Sequence, residues 1–413
     1  MTGEGWICCQ LGAREHYAIP RALHSSEALA KFVTDFWYPP GSIASRILPS
    51  ALQQDLRGRY HRDLANADVT SLNRSALTFE IISRIRGQSG WTKIMARNRW
   101  FQRKVISVLS GYQPSTLNSQ PVVFAYSYAA LEILRYAKQR GWRTVLGQID
   151  PGPVEEEIVA EEVAREPELG ATWEPAPPIY WEHWREESEL ADRIVVNSEW
   201  SRTCLAKAGV NGSKLFVIPL AYEMPEVGQE RKYPDRFDEQ RPLRVLFLGQ
   251  INLRKGFARL LKAIDLLEHE PIEFYFVGPM QISIPHNLRN DPRLRWLGSV
   301  TRNEANKFYQ DADLLVFPTL SDGFGLTQLE AQAWSLPIIA SQFCGDVVRN
   351  GVNGIVLDEL SPDAISAALR SCLREPERLC ALALNAITGD QFSLKAAAKN
   401  LLGLFESSAR TSE

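Results

Sequence analysis

VFPTLSDGFGLTQLEAQAWSLPIIAS, Val316 to Ser341, reads as the end of a strand, a glycine-containing turn, a helix and another strand. That succession is the unit from which parallel α/β sheets are built. After the strand ending at Phe317, the turn Ser321-Asp322-Gly323-Phe324-Gly325 opens a helix from about Leu326 to Trp334, and Pro337 begins the next strand. Glycines let a backbone approach a ligand closely, and the first turn of a helix offers unpaired N–H groups with a partial positive charge. Gly323, Phe324, Gly325, Leu326 and Thr327 are therefore candidate contacts for a diphosphate. Glu330, about one turn into the helix, is placed to accept hydrogen bonds from ribose hydroxyls. Asp322 at the mouth of the turn would repel phosphates, so it faces a sugar or orients a basic partner. A lone turn of this kind fits an N-cap aspartate and a surface glutamate equally well.

Upstream, RVLFLGQINLRKGFARLLKAIDLL (Arg244–Leu267) is a second strand–loop–helix unit. Its strand ends at Gly249, its loop carries Arg254 and Lys255, and Gly256 opens a helix of apolar period. Two cations at the C-terminal edge of a parallel strand face the crevice where α/β sheets bind ligands. Together the two runs put two cations, two acids and a glycine turn on one sheet edge, a set that suits a nucleotide diphosphate.

The same alternation extends in both directions. In the second half the apolar runs Arg244–Leu248, Glu273–Val277, Leu294–Leu297, Leu314–Phe317, Pro337–Ala340 and Gly354–Val356 read as strands. In the first half Ile7–Leu11, Pro121–Ala125, Arg143–Leu146, Arg193–Val196 and Leu215–Ile218 do. Between the halves, Glu223–Arg241 is rich in charge and proline and lacks an apolar period, as a linker does. Phe392–Phe405 has helical spacing and is predicted to pack back across one of the halves. A chain of 413 residues, 45% apolar and 23% charged, is long enough for two cores and hence for a cleft between them.

A formal charge of -3 shows no commitment to nucleic acid. Neither a basic region followed by a long apolar run at the N-terminus nor about 18 consecutive apolar residues occurs, so a cytoplasmic protein is expected. Cys8 and Cys9 lie in an apolar run and read as core side chains. The six histidines form no pair at metal-ligand spacing with a Cys or Glu cluster, and no metal site is expected. Two biased stretches stand out. Arg84–Lys104 holds seven basic residues and no acid, interleaved with Trp91, Trp100 and Phe101. It suits an anionic membrane surface or a diphosphate-bearing acceptor, and equally a solvated helix face over core aromatics. Glu155–Glu168 holds seven glutamates and reads as an exposed acidic helix.

The C-terminal half resembles the retaining family 4 glycosyltransferases (glycosyl transferases group 1), which have the GT-B fold. Their signature is an acidic pair spaced E-x7-E; here Asp322 stands eight positions before Glu330 in DGFGLTQLE. The match runs on through EAQAWSLPIIAS to Asn350-Gly351-Val352-Asn353-Gly354, covering most of residues 240–405, and residues 1–220 only loosely. It implies two Rossmann-like domains facing each other across a cleft. Residues 1–222 would take the acceptor, with 390–413 packing back, 223–242 would link, and 243–389 would bind the nucleotide-sugar. It further implies transfer to an acceptor hydroxyl with retention, without metal or cofactor, in surface polysaccharide or glycolipid synthesis. The acceptor would be a saccharide or lipid-linked, and the basic aromatic stretch 84–104 adds the expectation of peripheral contact at the inner face of the membrane.

Carried over residue by residue, the ribose acid falls on Glu330, the acid beside the donor sugar on Asp322, and the lysine that neutralises the diphosphate on Lys255. Gln250 stands where an arginine usually follows the strand glycine, and Arg254 is its replacement. Leu297–Val300, with Ser299 and Val300, would receive the base. In the first half, the loop Gly12–His16 matches the place where backbone and polar groups meet donor phosphates and acceptor, which gives Gly12 and His16. Asp150 ends a segment where a histidine is often found. Asp311-Ala312-Asp313 has the spacing of a D-x-D metal motif, but directly before a strand it reads as a helix end or strand cap. Two rivals remain: a catalytically degenerate binding protein on the same fold, and an NAD-linked oxidoreductase. The second needs a G-x-G-x-x-G turn after the first strand, which GAREHY lacks.

Overall fold

Trp6-Ile7-Cys8-Cys9-Gln10 is apolar on both of its alternating faces until Gln10, the pattern of a strand covered on both sides, and all five side chains are buried. In the computed structural model, which describes residues 5–40, 58–114, 120–223, 231–386 and 389–409, this run is β1 of a seven-stranded sheet. The others are β2 (Leu29–Thr34), β3 (Val69–Ser71), β4 (Val122–Tyr126), β5 (Arg143–Gly147), β6 (Arg193–Val196) and β7 (Leu215–Val217), in the order β3-β2-β1-β4-β5-β6-β7. A second sheet contains β8 (Leu243–Leu248), β9 (Ile272–Val277), β10 (Leu294–Gly298), β11 (Leu314–Phe317), β12 (Ile338–Ala340) and β13 (Gly354–Val356), ordered β10-β9-β8-β11-β12-β13. Every pairing in both sheets is parallel.

Each sheet thus reverses its strand order once, between β1 and β4 and between β8 and β11, and such switch points are where open α/β sheets take ligands. The strands read from the sequence all appear, with ends shifted by a residue or so. β2 and β3 lie outside that reading. β2 follows a helix ending at Ser25 after only a short turn, and β3 is too short to show alternation. The apolar cores lie on both faces of each sheet.

Helices fix the switch points from behind. Glu187, in the helix Pro178–Leu190, is fully buried and accepts hydrogen bonds from the N–H groups of Tyr128 (2.7 Å), Ala130 and Leu131 (2.9 Å each). It caps the helix Leu131–Gln139 from a neighbouring element, satisfying donors that no residue of that helix's own N-terminus satisfies. Burial raises its carboxyl to about 7, against the pull of the three N–H groups.

The end of the chain returns to the first sheet. The helix Leu394–Leu402 packs against the helix Ala18–Ser25 through Ala22, Ala397 and Ala398, and Leu401 and Leu404 join the core over β1. Of the predicted linker, residues 224–230 lie outside the described residues. Arg231 donates to Trp334 O (2.9 Å) and Tyr233 to Asp313 O (3.0 Å), so this part of the chain lies along the second sheet's layer. Among the described residues no helix is long and apolar enough to cross a membrane.

Candidate functional site at the second switch point

The loops after β8 and β11 are pressed together by glycine. Gly256 has φ +69°, and a Cβ there would lie 1.8 Å from the carbonyl oxygen of Pro318, so only glycine lets the two loops meet. Just before it, the turn Leu253–Lys255 is capped by Asn252, whose side chain accepts from Lys255 N at 3.1 Å. This aims Lys255 at the mouth of the other loop. There its ammonium is in direct hydrogen-bonded contact with Asp322 Oδ2 and lies 5.0 Å from the centre of the Phe317 ring. Arg254 donates to Ser321 O at 3.1 Å and places Nη1 3.7 Å from Asp322 Oδ2.

Burial alone would raise the Asp322 carboxyl, but Lys255 and Arg254 hold it below the usual aspartate range. Asp322 is therefore held as an anion against these two cations. Glu330, on the helix Leu326–Ala333, accepts from the Tyr309 hydroxyl at 2.7 Å. Phe324 is buried, and its N–H leans on Asp322 Oδ1 at 3.4 Å. Gln250 is exposed beside Asn252, Ser299 is exposed after β10, and Val300 is half-buried against the core under β10.

The first layer supplies the opposite wall, and here the structure departs from the sequence reading. Gly323 turns toward the other layer: a Cβ on it would lie 2.3 Å from the carbonyl oxygen of Ile149, and its own carbonyl accepts from Ser201 Oγ at 3.2 Å. Its close backbone approach is thus to the segment that carries Asp150. Trp200 Nε1 donates to Ser321 Oγ at 3.1 Å, a second tie across the layers. Asp150 is held by the hydroxyl of Tyr128 (2.5 Å), by Gln148 (3.0 Å) and by Gly152 N (3.0 Å). Gly12, with φ +85°, donates to the buried Asp35 at 3.0 Å, and Arg59 and Arg97 converge on the same carboxylate. His16 is exposed in a loop where Glu15, His16 and Tyr17 all have positive φ, a strained stretch of the kind that collects at ligand sites.

The acidic segment is the clearest correction. Glu155–Glu168 is not a uniformly exposed face: Glu162 and Glu166 are buried, at 1% and 3% exposure, and meet cations of the other layer. Arg259 forks onto Glu162 at 3.1 and 3.2 Å, and Lys262 contacts Glu166 directly. Glu155, in the first turn of the helix Pro153–Arg165, is buried beside Ser321 and lies 3.7 Å from Arg254 Nη1. Burial raises its carboxyl to about 8; Arg254 opposes the rise, while Asp150 and Asp322 add to it. The missed signal was the spacing. Glu155, Glu162 and Glu166 recur on one helical face, and the cations they meet, Arg254, Arg259 and Lys262, recur along the facing run.

A cavity of about 400 Å³ opens between the layers at this point, lined among others by Trp91, Tyr128, Asp150, Glu155, Gln250 and Arg254. The Asp313 carboxylate of the D-x-D triplet accepts from Arg241 at 2.7 and 2.8 Å and from Arg244 N at 2.8 Å, a structural role at the start of β11. Elsewhere, His61, Asp63 and Glu223 bring ligand atoms within 4.8 Å of one another, a cluster that sequence spacing did not reveal. The buried guanidinium of Arg21 already bridges its two carboxylates.

Residues 242–375 match the family model described as glycosyl transferases group 1. A D-inositol 3-phosphate glycosyltransferase of Rhodococcus jostii is 39% identical over 233 residues, 51% of this chain and 52% of that protein. The chain spans about half the length of the curated relatives it matches. Among solved structures, Anabaena Alr3699/HepE in complex with UDP and glucose superposes with a TM-score of 0.61 at 13% identity, covering 98% of this chain and 100% of that one. WaaG, a glycosyltransferase involved in lipopolysaccharide biosynthesis, does so with 0.55 at 15%, covering 96% and 99%. Residues 242–375 thus carry the family signature of glycosyl transferases group 1, and the chain as a whole has the two-sheet GT-B fold of these solved neighbours.

Proposed function

We propose that the protein transfers a sugar from a nucleotide-diphosphate donor to an acceptor hydroxyl, with retention of anomeric configuration and without a metal ion. The observation that carries this reading is the junction of Arg254, Lys255 and Asp322 at the β8/β11 switch, where Arg254 meets Glu155 and lines a cavity together with Asp150. In it, residues 243–389 hold the donor and residues 1–222 the acceptor. Arg254, Lys255 and the N–H groups of Phe324 to Thr327 meet the diphosphate, and Asp322 steers Lys255 beside the donor sugar. Glu330, held by Tyr309, takes the ribose hydroxyls, and Ser299 and Val300 lie toward the base. A uridine nucleotide is the first choice, since the solved HepE complexes contain UDP. Retention rests on the family resemblance, and a role in polysaccharide or glycolipid synthesis on that of WaaG.

As the glycosidic bond to the diphosphate breaks, negative charge grows on the leaving group, and fixed cations aimed there lower the barrier. Glu155 matters through its proton. Below pH about 8 it is largely neutral and does not contest Arg254; above that it adds an anion beside the leaving group. Turnover is therefore expected to fall as pH rises through about 8, by roughly tenfold for about 1.4 kcal/mol of lost stabilisation. In Glu155→Gln that alkaline limb should disappear from the pH–rate profile, and an unchanged limb would assign it to another group. Glu330→Ala is expected to raise the donor KM about tenfold or more, as removal of a charged hydrogen-bond partner does, with its melting temperature little changed.

The test of the reading is an NMR-monitored transfer assay with a panel of nucleotide-sugars in the presence of EDTA. A retained product supports it. An inverted product would sink the retaining mechanism, and a need for metal would sink the metal-free one. Gln250 in place of an arginine, and Lys255 tied to Asp322, favour a second reading as a nucleotide-binding protein without turnover. Nucleotide binding with neither donor hydrolysis nor transfer would select it.

A further inference from the structure

The interlayer cavity has an aromatic wall built wholly from the first layer. Trp91, Tyr128, Trp173, Tyr180 and Trp181 line it, and all five are half-buried. Tyr128 stacks on Tyr180 with ring centres 4.7 Å apart, and Trp91 and Trp181 stand edge-on to Tyr180 at 4.9 and 5.2 Å. Trp173 stacks on no other ring among the described residues. The loop that carries it is pinned. Glu174 O accepts from Trp91 Nε1 at 3.2 Å, Ala176 N donates to Glu156 Oε2 at 2.7 Å, and Ser283 N of the second layer donates to Leu169 O at 2.7 Å. The wall is thus preformed, and a ligand laid on it orders few side chains.

Charge narrows what that ligand is. Asp150, Glu155, Glu156 and Glu174 line the same cavity. Among the described residues its lining has one cation, Arg254, which already faces Glu155 and Asp322. The cations Arg86, Arg99, Arg103 and Lys104 of the basic stretch line a separate groove. A phosphate or carboxylate brought onto the wall would meet like charge with no cation left to answer it. An uncharged sugar ring meets matching groups instead. A pyranose presents C–H groups on its faces and hydroxyls around its edge, so flat apolar rings suit the one and fixed hydrogen-bonding groups the other. Asp150 is such a group, since Tyr128, Gln148 and Gly152 N all donate to its Oδ1 and so fix the carboxylate. The amides of Gln250, Asn252 and Gln281 line the facing side.

We infer that this wall is the acceptor subsite and that it takes an uncharged saccharide, a pyranose laid on Trp173 and the neighbouring rings with hydroxyls bonded to Asp150 and the amides. The inference rests on the transferase reading above and adds to it the class of acceptor: any phosphate that the acceptor carries lies away from the accepting ring. A volume of about 400 Å³ is within the range of small-molecule pockets.

The test is binding of the labelled full chain, with UDP present, to an array of uncharged mono- to trisaccharides and of the same glycans carrying a phosphomonoester. It is run on wild type, Trp173→Ala and Trp173→Phe, with thermal melts of each in UDP. Wild type is expected to bind at least one uncharged glycan, and to bind its phosphorylated form at least about tenfold more weakly. Trp173→Ala should lose at least about tenfold of that binding, and Trp173→Phe, which keeps a ring, should retain most of it. Should Trp173→Ala fail to fold, Trp173→Leu takes its place, keeping bulk without an aromatic face. No glycan bound, phosphorylated glycans bound as tightly as uncharged ones, or a folded Trp173→Ala that binds like wild type would overturn the inference. The melts keep this apart from the donor reading: a UDP shift with no glycan bound overturns the subsite alone, whereas glycan binding with no UDP shift supports the subsite and counts against the donor site.

Discussion

Lys255→Ala is expected to slow sugar transfer about 100-fold, the equivalent of ~3 kcal/mol in the barrier, with a much smaller change in donor KM. The ammonium is fixed in advance by Asn252, Gly256 and Asp322, so it stands ready for the charge that grows on the leaving diphosphate. A group with a stronger interaction in the transition state than in the ground state shows its loss in kcat. The removal also leaves Asp322 with Arg254 at 3.7 Å and the Phe324 N–H at 3.4 Å, so its carboxyl should move upward from its depressed value. Lys255→Ala/Asp322→Asn is accordingly expected to lose less than the sum of its parts, as residues that act as one unit do. Steady-state kinetics on Lys255→Ala, Asp322→Asn and the double variant check this, and unchanged turnover in Lys255→Ala would take the residue out of the mechanism.

Glu187→Ala should have the largest effect on stability, about 3 kcal/mol or more, because it leaves the N–H groups of Tyr128, Ala130 and Leu131 without their acceptor in a buried place. The damage should reach the site, since Tyr128 carries the hydroxyl that holds Asp150 at 2.5 Å. Glu187→Gln retains a carbonyl acceptor and should cost much less. The sign of the pH dependence follows from the raised carboxyl. With a folded value of about 7, wild type loses stability as pH rises from the ordinary glutamate range through about 7, because the unfolded chain ionises first. Glu187→Gln should lack that component. Urea melts at pH 5 and pH 8 separate the outcomes; equal stability of Glu187→Ala and wild type would mean that the three N–H groups find other acceptors.

What could be read from the sequence and what could not divides along the range of the interactions. Asp322, Lys255 and Arg254 were legible because the motifs that carry them are local: a strand end, a glycine turn and a helix start fix where each side chain emerges. Both sheets were legible for the same reason, except at β2, which follows a helix after only a short turn, and at β3, which is only three residues long. The partners that complete the site were not. Glu155, Trp200 and Ser201 reach it from the other layer, and only the spacing that Glu155 shares with Glu162 and Glu166 sets it apart from the glutamates beside it. Glu162 and Glu166 looked like solvated charge because composition reports how many charges a helix carries, while burial depends on the cations at Arg259 and Lys262, almost a hundred positions later. Gly323 shows a subtler limit. Its need for a bare backbone was readable, but the group that approaches, Ile149 rather than a ligand, is a property of the packing.

The most direct test of a donor site at the β8/β11 switch is a thermal-shift titration of wild type and Glu330→Ala with UDP, other nucleoside diphosphates and their sugars, with and without EDTA. A stabilising shift with one nucleotide, unchanged by EDTA and lost in Glu330→Ala, is the predicted result. No shift with any nucleotide, or a shift as large in Glu330→Ala as in wild type, would contradict the placement of the donor.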